Sequence, residues 1–153
     1  MRATSRKSSG FTLIELMVTV VIGAILVSIA VPMYTTQMRQ SRRTEARTAL
    51  LDMASREERF SSTNSAYSSA PANLGYSGTF PITVGSGYYQ VTAWACAAVT
   101  CTADAGTGAA FLLTATPIGT QAKDTQCGSF TVDNTGSQQV TGSASATPST
   151  CWN

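Results

Sequence analysis

Glu15 is the one charged side chain between Phe11 and Val31, set inside a run of apolar residues. A helix over that run, rising about 1.5 Å per residue, is long enough to cross a bilayer core of about 30 Å. A lone acid in such a segment costs roughly 2.5 to 3.5 kcal/mol on insertion scales, so it marks a place where a partner neutralises it. Other chemistry is sparse. The chain has no histidine, the commonest general base, and its many serines have no adjacent base, so an enzyme is not expected. Gly85-Ser-Gly87 precedes a strand candidate and not a helix, which argues against a phosphate cradle, and Asp104 alone falls far short of a calcium cage. Four cysteines, Cys96, Cys101, Cys127 and Cys151, suit an oxidising compartment and allow three pairings. Their spacing does not fit zinc knuckles, so neither metal nor cofactor is expected.

Arg2, Arg6 and Lys7 precede Gly10-Phe11-Thr12-Leu13-Ile14-Glu15, and the apolar run follows. This closely resembles the type IV prepilin signal. The resemblance implies that a prepilin peptidase cuts between Gly10 and Phe11 and methylates the new amino terminus at Phe11. It also implies that the Glu15 carboxylate of an incoming subunit pairs with the terminus of a neighbour and sets its register, each charge relieving the other's desolvation. A conventional secretory signal, the competing reading, places its cleavage site after the apolar core, whereas Gly10 lies before it. A plain bitopic anchor would leave Glu15 unexplained. The leader cations should stay cytoplasmic, and removing them leaves seven basic and eight acidic residues, so the basic balance is a sorting feature.

The residues that must position these groups form one long helix, expected from Phe11 to about Ser61. Residues 11–31 are apolar almost all round, as a transmembrane or filament-core segment should be, and Gly23 and Pro32 mark where the helix is expected to kink or to melt on assembly. Residues 32–61 carry Ala46, Ala49, Leu50, Met53, Ala54 and Phe60 at spacings of three and four, an apolar stripe. Six arginines with Glu45, Asp52, Glu57 and Glu58 are expected on the solvated face, with pairs such as Asp52 and Arg56.

Residues 62–87, rich in Ser, Asn, Pro and Gly, are expected to be a connecting loop. Strands are expected at Tyr88–Trp94, Phe111–Thr116 and Ser129–Asp133, from their aromatic and β-branched content. The fold class is α+β: the long helix packed on an antiparallel sheet of three to four strands, with a C-terminal loop bounded by a disulfide. Residues 62–153 form the head, in one globular domain with 32–61, after a cleaved leader at 1–10. Pairing Cys96 with Cys101 leaves Cys127 and Cys151 to close a C-terminal loop, a crosslink worth roughly 3 kcal/mol in the chain-entropy model. This last region resembles type IVa pilins, most of all the PilE-type minor pilins.

Charged residues are only 12% of the chain, against about 25% in ordinary domains. A surface polar through Ser, Thr, Asn and Gln suits a subunit flanked by neighbours, and equally an exposed, Ser/Thr-rich set of loops. The resemblance implies a structural subunit, a minor pilin of a type IV pilus serving twitching motility, adhesion or DNA uptake. Its partners would be other pilin subunits, prepilin peptidase and the inner-membrane assembly machinery. In a Gram-negative cell it would lie in the inner membrane with a periplasmic head, then in the extracellular filament. A major pilin, a type II secretion pseudopilin, and a pilin-anchored adhesin or DNA receptor are the alternatives. Tyr88, Tyr89 and Trp152 would stack on bases in that last case, although core packing is the expected role.

Overall fold

The computed structural model describes residues 11–98, 101 and 103–153. Gly10, the residue before the expected cut, lies outside them. Two compact units make up the chain, one ending at Met38 and the other running Arg39–Asn153.

Helix α1 is Leu13–Asn64. In the first unit its large apolar side chains face outward all round, from Met38 at 36% exposure to Leu13 at 78%. One window of α1 has a mean hydropathy of 2.6, long and apolar enough to cross a membrane. An apolar surface of this extent does not persist in water and must be covered by lipid or by other chains. Pro32 lies inside the helix. The hydroxyls of Thr35 and Thr36 donate to its carbonyl oxygen at 2.9 and 3.0 Å.

In the second unit the seam of α1 is Ala46, Leu50, Met53 and Glu57, at spacings of four, three and four, all buried. The three apolar members belong to one core with Val91, Ala93, Phe111, Leu113, Phe130 and Val132. Full burial of a Leu or Phe side chain contributes roughly 1.5 to 3 kcal/mol. Glu57 corrects the sequence reading, which put it on the solvated face: it is fully buried, because its position in the stripe outranks its charge. The Asp52–Arg56 pair forms on the exposed side at 2.9 Å.

The main sheet has five antiparallel strands in the order β2 (Ile82–Val84), β3 (Tyr89–Cys96), β5 (Ala110–Pro117), β6 (Phe130–Asp133) and β7 (Gln138–Val140). The three central strands match the expected ones to within two residues. Two edge strands of three residues each extend the sheet beyond the expected three to four. A separate two-stranded pairing joins β1 (Tyr67–Ser68) to β4 (Thr107–Gly108). The segment expected to be a plain loop therefore holds β1, a 3-10 turn at Pro71–Leu74 and β2. Along β3 and β5, buried residues alternate with Gln90, Thr92 and Trp94, and with Leu112, Thr114 and Thr116, so the sheet has one core face and one outward face.

Disulfides join Cys96 to Cys101 and Cys127 to Cys151. The second spans 24 residues, which in the chain-entropy account constrains the unfolded chain by about 3.5 kcal/mol. Inside its loop, Gly142 N and Ala144 N donate to Cys127 O and Gln126 O at 3.0 and 2.9 Å. Position 142 must be glycine, since a Cβ there would run into the backbone of Gln126 and Cys127. A short helix α2, Ser149–Trp152, closes the loop. Trp152 packs edge-on to Phe130 at 5.5 Å and donates its indole N–H to Gln139 O.

Candidate functional site

Two regions can do chemistry. The first is the start of α1. Thr12 precedes the helix, and its hydroxyl oxygen accepts the Glu15 backbone N–H at 3.4 Å. Thr12-Leu-Ile-Glu15 thus carries the Thr-x-x-Glu spacing of a capping box, with Thr12 at the cap and Glu15 three residues on. The Thr-x-x-Glu spacing is itself the sequence signal for this local role, which is separate from any pairing of the Glu15 charge. An acid in the first turn also complements the positive end of the helix dipole. Phe11, one residue before the cap, is 82% exposed. The structure thus puts Phe11 and Glu15 at the same helix end, one turn apart. Gly23 and Pro32 lie farther along the same helix.

The second region is the surface of the unit Arg39–Asn153. Among the described residues its cations, apart from Arg56 with its Asp52 ion pair, divide into three kinds. Arg43 is spent on structure: its Nε and Nη2 grip the two carboxylate oxygens of Asp124 at 2.6 and 2.7 Å. Burial alone would raise the Asp124 carboxyl, but hydrogen bonds and charge from Arg43 outweigh it and hold it below the usual carboxylate range. Gln121 extends this network by donating to Asp124 and to the Tyr89 hydroxyl, which locks the turn Gly119–Lys123 onto α1.

Arg42 and Arg47 are tethered more lightly. Arg42 lies over the Tyr88 ring at 3.5 Å and donates to Thr120, while Arg47 donates to Asn153 O. Arg39, Arg59 and Lys123 are exposed and make no ion pair among the described residues. Arg59 borders an open groove of about 320 Å³ with Arg56, Thr63 and Asn73. Arg56 donates to Leu74 O and faces the Tyr76 ring at 4.7 Å, so the groove wall holds its guanidinium in place.

The aromatic candidates separate by burial. Tyr89 is in the core at 1% exposure, and Tyr88 lies half-buried beneath Arg42. Trp152 is pinned against Phe130. The exposed aromatic on this unit is Trp94, at 41%, which sequence reasoning placed in a strand without naming its direction. Its parity with Gln90 and Thr92 was the available signal.

The family model described as "Type IV minor pilin ComP, DNA uptake sequence receptor" matches residues 32–131, most of the chain. The chain belongs to this minor pilin family. A second model, the prokaryotic N-terminal methylation motif, matches residues 5–31 of the pilin. Among solved structures, a type IV pilin from Shewanella oneidensis is 27% identical, over 65% of this chain and 89% of that one, with a TM-score of 0.44. No curated protein matches it. This minor pilin is therefore a subunit of a type IV pilus, built from a membrane-type N-terminal helix and a disulfide-crosslinked head, and its family is structural and not enzymatic.

Proposed function

We propose that this minor pilin is held in the inner membrane by residues 11–31, cut after Gly10, methylated at Phe11, and drawn into a pilus in which its head captures double-stranded DNA for uptake. The observation that carries the DNA part is the span of the family match: it covers 32–131 and so includes most of the head. The family is described as a DNA uptake sequence receptor, and a receptor's specificity belongs on the head.

The cut supplies the first step's physics. It creates an ammonium at Phe11 beside the positive end of a helix dipole, an unfavourable position for a cation in lipid. The Glu15 carboxylate of an adjoining subunit relieves it. Gly23 and Pro32 give the helix its point of adjustment during assembly. Assembly machinery and other pilin subunits complete the filament.

For DNA, phosphate contacts supply affinity and base-edge contacts supply sequence preference. The groove holding Arg56 and Arg59 offers two guanidinium groups with Thr63 and Asn73 beside them, and Lys123 is a separate exposed cation. Asn and Gln side chains are the natural readers of adenine in the major groove, and the head's loops are rich in uncharged polar residues. With so few unpaired cations, binding should be weakly salt-dependent.

The test is fluorescence anisotropy of labelled duplex DNA with the full chain in detergent micelles. Arg59→Ala is expected to weaken binding to all sequences alike and to reduce the salt slope by about 1. An Arg59→Ala protein with wild-type affinity and slope would remove the groove from the interface. Absence of duplex binding by the wild-type chain would remove the receptor reading altogether.

A further inference from the structure

The outward face of the five-stranded sheet is absorbed neither by the filament helix nor by the DNA reading. Its residues align in rows across the strands. Thr92, Thr114, Thr131 and Gln139 stand opposite one another on β3, β5, β6 and β7. In the next row Trp94 faces Leu112, and Leu112 faces Asp133. Neighbouring strands are about 4.8 Å apart, so the face extends roughly 19 Å across five strands.

Three properties of this face select a ligand. Trp94 is the one indole that the fold leaves open. Trp152 is packed on Phe130 and gives its N–H to Gln139 O, whereas the Trp94 N–H has no protein acceptor among the described residues. The half-buried Leu112 stands opposite it on the neighbouring strand and widens the apolar spot.

Second, the row of threonines and glutamine is neutral, and each side chain both donates and accepts hydrogen bonds. Third, no cation stands in these rows. Asp133 is their one ionisable residue, and its Oδ1 is already engaged by Thr135 N, the Thr135 hydroxyl and Ser137 N in the β6–β7 turn. A polyanion finds no counter-charge here.

We propose that this face binds a neutral, extended polysaccharide of flat β-linked sugar rings. The ligand's C–H faces are apolar and carry slight positive charge, which the negative face of the Trp94 indole attracts. Its hydroxyls both donate and accept, as do Thr92, Thr114, Thr131 and Gln139. The absence of charge on the ligand matches the absence of cations on the face. DNA would bind elsewhere, at the cationic groove, so one pilin head carries a glycan face and a separate nucleic-acid surface. This would let a filament rest on a carbohydrate surface while its head remains open to DNA.

The probes are cellohexaose and N-acetylchitohexaose, titrated calorimetrically into the full chain in micelles, with duplex DNA titrated in parallel. Wild type is expected to bind at least one hexasaccharide saturably. Trp94→Ala should weaken that binding at least tenfold. Thr114→Val, which keeps shape and strand propensity, should weaken it several-fold. Both variants should retain wild-type DNA affinity and a wild-type unfolding midpoint.

The proposal is overturned if neither hexasaccharide binds wild type, or if Trp94→Ala binds as wild type does. It is equally overturned if Trp94→Ala instead removes single-stranded DNA binding, which would assign the indole to nucleobases, or self-association, which would assign the face to a second copy. Failure of duplex binding in wild type, with glycan binding intact, would count against the DNA reading alone.

Discussion

A Glu15→Ala chain is expected to lose its leader normally and accumulate in the membrane while missing from sheared filaments, a loss of incorporation of at least tenfold. The proposed cut falls before Phe11, which itself precedes the helix at Leu13, so processing is not expected to depend on the side chain at 15. Incorporation is. In the assembly proposed above, a subunit entering the filament buries an ammonium at Phe11, and without a carboxylate opposite, that charge is left unpaired in an apolar core at several kcal/mol. The capping geometry at Thr12 introduces a second possible cause, because Glu15 also occupies the third position of a capping box. Glu15→Gln separates the two. Glutamine serves the cap as well as glutamate does but carries no charge, so Glu15→Gln should fail to incorporate as completely as alanine. Immunoblots of sheared filaments and of membrane fractions give the readout. Normal incorporation of Glu15→Ala would end this account of the carboxylate, and rescue by glutamine would reassign it to helix capping.

The pH dependence of stability should carry the signature of Glu57. Its Oε2 accepts the Ser68 N–H at 3.1 Å, while Oε1 is buried with no hydrogen-bond partner. Burial pushes this carboxyl up from 4.5 to about 7; the Ser68 N–H offsets part of the shift and nearby Glu58 adds to it. Glu58 itself accepts the Tyr67 hydroxyl. A raised folded-state pKa means that the folded chain binds more protons than the unfolded chain between about 4.5 and 7. The stabilisation is therefore fully present below the unfolded value and is lost as pH rises through 7, a change on the order of 3 kcal/mol. Asp124, held low by Arg43, acts with the opposite sign and only in acid.

Glu57→Gln should thus match wild type near pH 4.5 and exceed it near pH 8, with most of the neutral-range slope gone. Denaturant unfolding of the full chain in micelles, across that pH range, is the measurement. The same slope in variant and wild type would show that Glu57 is not buried as a titrating acid. Because Ser68 belongs to β1, which pairs with β4, the site also links the protonation of α1 to a two-stranded pairing far along the chain.

Much of this architecture was legible in the residues. The apolar run and the 46–50–53 stripe follow from composition and helical period, and the three central strands announce themselves through Val, Thr, Tyr, Phe and Trp. The two edge strands did not. Ile82–Val84 and Gln138–Val140 are too short for a periodic signal, and each becomes a strand only by pairing with a neighbour made elsewhere. Glu57 was misplaced for a similar reason. Residue type argues for exposure, and the groups that receive it, Ser68 N and the core around Met53, are set by tertiary packing. Arg43 gives the reverse lesson: its partner Asp124 is 81 positions away, a pairing no local pattern encodes. In the first site, by contrast, Phe11, Thr12 and Glu15 fall within five consecutive residues, so their chemistry could be inferred before any fold was known.

The central claim is that this chain is a processed minor subunit of a type IV pilus, and it is tested most directly by mass spectrometry of filaments sheared from the native cell. The prediction is a mature chain beginning with N-methylated Phe11, present at trace abundance beside a different and dominant pilin. A chain that keeps Arg2, Arg6 and Lys7, or one absent from the filaments and confined to the membrane fraction, would contradict it.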